Sequence, residues 1–151
     1  NRARLMLEVT DAVISVWGAG RVGMHLAPRG DSHSMGDSDP AATFGYVAKE
    51  LGKRQIAFIF TREHFNAPAL TPALKQAFGG AFIANEQFTA ETAQQVLSEG
   101  HADAVAFGKQ FIANPDLVTR FQQQAALNEL RTDKMYASGP EGYTDYPALS
   151  A

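Results

Sequence analysis

The segment AVAFGKQFIANPDL, residues 104–117, decides how the rest of the chain is read. It opens on small and apolar residues, too few for a helix of their own. It breaks at Gly108-Lys109 and reaches a helix-start signal at Asn114-Pro115-Asp116. This is the pattern of a buried parallel strand whose C-terminal tip presents a glycine and a cation. Bare backbone N–H groups beside an ammonium make a natural seat for a phosphate. A plainer reading, a core strand followed by a turn lysine, fits the same residues.

Upstream, the unit repeats. Apolar runs at residues 22–27 (VGMHLA), 56–61 (IAFIFT) and 82–85 read as strands, each followed by a helical segment. Leu5, Val9, Ala12, Val13, Val16 and Trp17 recur at helical spacing and predict an amphipathic helix over about residues 2–16. Asp39-Pro40 starts a second helix with Phe44, Val47, Ala48 and Leu51 on its buried stripe and Gly52 at its end. Thr71-Pro72 caps a short helix that stops at Gly79-Gly80. Thr89 caps another, with Ala93, Val96 and Leu97 inward and Gly100 at its close. Asn114-Pro115 caps a last helix through about residue 125. Residues 29–39 and 62–70 read as loops. Residues 128–151 read as an irregular tail anchored by Tyr136, Tyr143 and Tyr146.

Strands that are apolar throughout are expected to be covered on both faces. Four β–α units in a row imply an α/β fold with parallel pairing. Two architectures fit, an open doubly wound sheet and half of an eightfold β/α barrel, which needs about 250 residues when complete. The leading helix has no strand before it, which favours the half-barrel. No linker or low-complexity stretch divides the chain, so residues 1–151 read as a single segment.

The 151 residues are 45% hydrophobic with a net charge of −3, enough for one core. Lys and Arg are scattered, which argues against a nucleic-acid surface. There is no cysteine, hence no disulfide and no thiolate chemistry. No apolar run approaches the roughly 20 residues of a membrane span, and a cytoplasmic, non-membrane protein is the expectation. Gly18-Ala19-Gly20-Arg21-Val22-Gly23 spells G-x-G-x-x-G, but it follows a helix and opens a strand. A dinucleotide fingerprint needs the reverse order. Asp31, His33, Asp37 and Asp39 match no standard metal spacing.

In a parallel β/α fold the site lies at the C-terminal ends of the strands. Those ends carry His25, then Thr61, Arg62, Glu63 and His64, then Asn85, Glu86 and Gln87, then Gly108 and Lys109. In a second half-barrel the last two groups fall where such barrels hold a phosphate. Packing alone would also account for His25, and Asn85 and Glu86 could simply precede the Thr89 cap.

The strings NRARLMLEV, RVGMHLAP, DAVAFGKQFIANPDL and GPEGYTDYPAL together resemble the C-terminal half of the Old Yellow Enzyme family, FMN-dependent ene-reductases on a TIM barrel. The resemblance spans nearly the whole chain. It implies the second half of a (β/α)8 barrel, four parallel units plus an irregular tail. It also implies FMN as cofactor, NADH or NADPH as reductant, and a small-molecule substrate, either an activated alkene (enone, maleimide) or a nitro or nitrate-ester compound. Lys109 stands where the family has a phosphate-binding arginine, beside Gly108. Glu86 stands where a glycine offers its backbone N–H to that phosphate, flanked by Asn85 and Gln87. His25 stands in place of an arginine near flavin N1 and O2. Tyr143 matches a tyrosine near flavin and substrate, and Phe65 lies in a loop bordering the substrate. The substrate-anchoring His-His or His-Asn pair and the proton-donating tyrosine of the family lie upstream of Asn1, so no catalytic residue is expected here. The expected partner is the missing N-terminal half of the barrel. A non-redox phosphate-binding half-barrel, or a fragment inactive until complemented, remain the alternatives.

Overall fold

A computed structural model describes residues 1–29, 36–64 and 69–149. The chain divides into two compact units, Asn1–Ala106 and Phe107–Ala151.

In the first unit, helix α1 (Arg4–Trp17) leads through a 3-10 turn into β1 (Gly23–Leu26). Then follow α2 (Pro40–Lys53), β2 (Phe58–Arg62), α3 (Thr71–Phe78), β3 (Ala81–Asn85), α4 (Ala90–Ser98) and β4 (Ala104–Ala106). The four strands pair in parallel in the order β1-β2-β3-β4. A doubly wound sheet reverses its strand order at a switch point; this one does not reverse. Its core, too, lies on one side. Leu26, Ile59 and Phe82 pack with Leu7 of α1, Val47, Ala48 and Leu51 of α2, and Leu74 and Phe78 of α3. Monotonic order with helices on one face is the arc of a barrel. The fold is the half-barrel, not the open doubly wound sheet.

Local signals explain most boundaries. The Asp39 carboxylate accepts from the Ala42 N–H at 3.0 Å, with Pro40 in the first turn of α2. Thr89 and Thr92 form a reciprocal capping box on α4. Gly79 ends α3 at φ 73°, the left-handed conformation that glycine adopts freely. The G-x-G-x-x-G stretch does close α1 and open β1.

Several expectations are corrected. The strands do not show the burial of strands covered on both faces: it alternates along β2 and β3, because α1, α2 and α3 pack on one face of the sheet. The stripe Leu5, Val9, Ala12, Val13, Val16 and Trp17 is the exposed side of α1, with Leu5 at 72% and Trp17 at 62%. Ala3, Leu7 and Thr10 are the buried ones, because the helix is apolar on two sides and the sheet takes the other. Gly52 does not end α2. It lies inside the helix, where a Cβ would sit 2.3 Å from the Phe78 carbonyl oxygen, so it permits close approach of α3. Leu97 is on the outer side of α4, while Ala93 and Val96 are buried. Thr71 is the first residue of α3 and not its cap; the cap comes from Glu63, described below. Among the described residues no helix is long and apolar enough to cross a membrane.

The second unit holds α5 (Lys109–Ala113) and α6 (Leu117–Gln123), followed by the tail. The sequence pattern missed α5. Asn114 does not cap α6 either. It is buried, donates to the Gln110 carbonyl at 2.9 Å and accepts the Asn128 N–H at 2.7 Å. Asp116 pairs with buried Arg120 at 2.7 Å and accepts the Leu149 N–H at 2.7 Å, while Arg120 also donates to the Ala126 and Pro147 carbonyls. The Asn114-Pro115-Asp116 string is thus the hub that holds the tail. The Arg120 guanidinium, with the Leu149 N–H, keeps the Asp116 carboxyl below the ordinary aspartate range.

Candidate functional site

Parallel pairing brings the C-terminal ends of all four strands to one edge, and the register sets which side chains lie beside one another there. Side chains alternate between faces. The open face therefore carries the rows Gly23, Phe58, Ala81, then His25, Phe60, Ile83, Ala104, then Arg62, Asn85, Ala106. It is apolar at its middle and polar at its C-terminal rim. Phe58 remains 37% exposed, and its ring lies over Gly23, where a Cβ would come within 2.4 Å. The exposed His25 ring meets Phe60 edge-on, centroids 4.6 Å apart at 90°.

The loop after β3 has an unusual backbone. Glu86 sits at φ 106° and Gln87 at φ 57°, both in the region that favours glycine. The Glu86 carboxylate is held by the Arg62 guanidinium, Oε2 to Nε. Asn85 is partly committed to structure, because its side-chain amide donates to the Ala106 carbonyl at 2.7 Å and ties β3 to β4.

Two of the rim residues are buried. Glu63 is buried at 3% exposure, and its carboxylate accepts the N–H groups of Leu70 and Thr71, each at 2.8 Å, and the Thr71 hydroxyl at 2.7 Å. It caps α3 from a distance. Thr61 alternates onto the covered face, fully buried, its hydroxyl without a hydrogen-bond partner among the described residues. His64 is half-buried.

Within the second unit, Gly108 precedes α5 and Lys109 is its first residue. Lys109 is exposed and has no ion-pair partner among the described residues. Tyr143 is 53% exposed, and its N–H donates to the Pro140 carbonyl at 3.0 Å. Of the three tail tyrosines, Tyr146 is the anchor. Its hydroxyl accepts the Arg131 N–H at 2.8 Å and its ring lies 4.7 Å below the Arg131 guanidinium. The side chains of Tyr136 and Tyr143 are exposed. Phe65, Asp31 and His33 lie outside the described residues.

A singly wound β/α arc with its polar groups at the strand tips defines a barrel protein whose ligand site is the C-terminal rim. Residues 1–128 match the NADH:flavin oxidoreductase / NADH oxidase family, and the chain belongs to it. This is the family of the Old Yellow Enzymes, FMN flavoproteins on a TIM barrel. The chain is 40% identical over 161 residues to 12-oxophytodienoate reductase 1 of Oryza sativa subsp. japonica. That match covers 99% of this chain and 42% of the relative. Among solved structures, morphinone reductase in complex with tetrahydroNAD superposes with a TM-score of 0.93 at 43% identity, over 99% of this chain and 42% of that one. The old yellow enzyme homologue from Zymomonas mobilis gives 0.93 at 39%, over 99% and 44%. The chain thus spans less than half the length of these relatives.

Each unit carries groups of the kind that FMN requires. A phosphate dianion needs a cation and N–H donors, and a flavin ring needs an apolar face with polar groups at its edge. In the second unit Lys109 is an exposed ammonium with no ion-pair partner among the described residues; in the first, the left-handed turn at Glu86-Gln87 carries backbone amides. Phe58, Phe60 and Ile83, with His25 beside them, are the apolar face.

Proposed function

We propose that this chain is the FMN-holding half of an NAD(P)H-dependent flavin oxidoreductase that reduces activated alkenes such as enones and maleimides, and nitro or nitrate-ester compounds. The reading rests on the family match, and one observation in this molecule carries it further. Glu86 keeps a glycine-type backbone at the position where the resemblance calls for a phosphate-binding glycine. A non-glycine residue at φ 106° costs on the order of 1–3 kcal/mol, a cost that a merely connecting loop has no reason to retain.

In this reading Lys109, with Gly108, supplies the cation for the phosphate. It keeps the charge of an arginine without the bidentate fork. The backbone N–H groups of residues 85–87 supply the remaining donors. His25 donates a hydrogen bond, or a charge when protonated, toward the pyrimidine edge of the flavin, where negative charge develops on reduction. Tyr143 borders the substrate. Bound FMN supplies hydride transfer between nicotinamide and substrate.

Apolar surface exposed on the open face and on the outer side of α1 also supports completion by further β/α units. Phe58 and the α1 stripe of Leu5, Val9, Val16 and Trp17 are large apolar groups left exposed. The partner is accordingly the other half of the barrel, and the chain alone is inactive until that half is present.

The test is FMN uptake and NADPH oxidation with an activated alkene, for the chain alone and after the upstream half is added. The completed protein should be yellow and active, and the chain alone inactive. A colourless complex that takes up no FMN refutes the reading. Lys109→Glu should lower FMN retention at least about tenfold through charge reversal at the phosphate; unchanged retention removes Lys109 from the site.

A further inference from the structure

We propose that Arg62 is a positioning residue for the anion-binding loop: its ion pair with Glu86 neutralises and restrains a carboxylate that would otherwise repel the FMN phosphate. The inference rests on the functional reading above but concerns an interaction that the family pattern does not supply. A carboxylate on the very residue whose N–H serves a dianion is repulsive unless it is paired. Arg62 lies on β2, in register with Asn85 of β3, on the open face and one residue from Glu86 along the neighbouring strand. Its Nε–H donates to the Glu86 Oε2. The other two guanidinium nitrogens have no partner among the described residues, and the Arg62 side chain is 44% exposed. The pair is therefore neutral overall, with N–H donors to spare, at a point where an isolated Glu86 would present a negative charge.

The pairing also bears on the backbone. Glu86 and Gln87 hold consecutive positive φ angles without glycine. A side chain tethered across to β2 restricts the alternatives open to that turn. Arg62 acts through Glu86, so its contribution is separable from that of the loop itself.

The experiment measures FMN dissociation constants on the completed protein by quenching of flavin fluorescence, for wild type, Arg62→Ala, Arg62→Lys, Arg62→Ala/Glu86→Gln and Glu86→Gln. Thermal unfolding of each variant verifies the fold. Arg62→Ala should raise the dissociation constant at least about tenfold at low salt, and the penalty should shrink at high salt, because repulsion between charges is screened. Adding Glu86→Gln should bring it back to within about threefold of wild type, since the repelling charge is gone. Arg62→Lys should stay close to wild type. A purely structural contact predicts the opposite: the double variant stays as weak as Arg62→Ala, with no salt dependence. That result, or an Arg62→Ala protein that binds FMN as wild type does, overturns the proposal. Wild-type protein that takes up no FMN overturns the functional reading itself, and this role for Arg62 with it. Wild-type uptake without a change in Arg62→Ala overturns only the role of Arg62.

Discussion

The two faces of the four-stranded sheet are made by the same strands, residue by residue in alternation, yet they differ in almost every physical respect. On the covered face Leu26, Ile59, Phe82 and Ala84 are buried against helices or one another. On the open face Gly23, His25, Phe58 and Arg62 are exposed. The covered face has what it needs within this chain. The open face mixes aromatic rings with a histidine and an ion pair, a composition suited to a ligand and to layers of side chains from further strands. One face stabilises the arc; the other is the one that the proposed function gives to a cofactor and the rest of a barrel.

The sharpest way to break that contrast is a pair of matched truncations. Phe82→Ala should cost about 3–5 kcal/mol, since it empties a site with no exposure. Phe60→Ala on the open face should cost less than about 1 kcal/mol in the chain by itself. Urea unfolding measures both, and equal losses would show that the open face is already packed. Completing the barrel should narrow the gap by raising the cost of Phe60→Ala.

A smaller effect tests how the covered side is closed. Glu63→Ala leaves two backbone N–H groups at the start of α3 without their acceptor and should cost about 1–3 kcal/mol. Unchanged thermal stability would mean that water replaces the carboxylate. Two glycines of α2 sharpen the same point with opposite signs. Gly52→Ala should destabilise by about 1–3 kcal/mol through the clash with the Phe78 carbonyl. Gly45→Ala, with open space around its Cα, should stabilise by about 0.5–1 kcal/mol.

The smallest effect belongs to the second unit, where a polar hub holds the tail. The Asp116 carboxyl is depressed, so its contribution is present above the ordinary aspartate pKa and is lost as pH falls through the lowered value. Asp116→Asn should therefore be less stable than wild type at neutral pH and equal to it in strong acid. A difference that persists at low pH would assign the effect to something other than the charge.

Much of this was legible in the residues. Asp39-Pro40, Thr89 and Gly79 are local signals, and each marks the helix boundary it suggested. The repeated β–α pattern gave parallel pairing, and the strings ending in GYTDYP resemble the family that the chain proves to belong to. What could not be read were choices among equally apolar or equally polar partners. Helix α1 has apolar residues on two sides, and periodicity reports both without saying which side the sheet takes. Thr71 and Asn114 look like caps, yet Glu63 supplies one cap from eight residues away and Asn114 bonds to Asn128.

The sequence by itself determined the alternation of strands and helices as far as β4 and, through its resemblance, the barrel class and the family, because these follow from short-range spacing and from strings whose chemistry is local. Only the tertiary structure decided which face of each element is covered, and that Arg62 meets Glu86 across 24 residues of chain. Register and helix docking are long-range outcomes. They depend on which surfaces find each other, and no window of neighbouring residues contains that information.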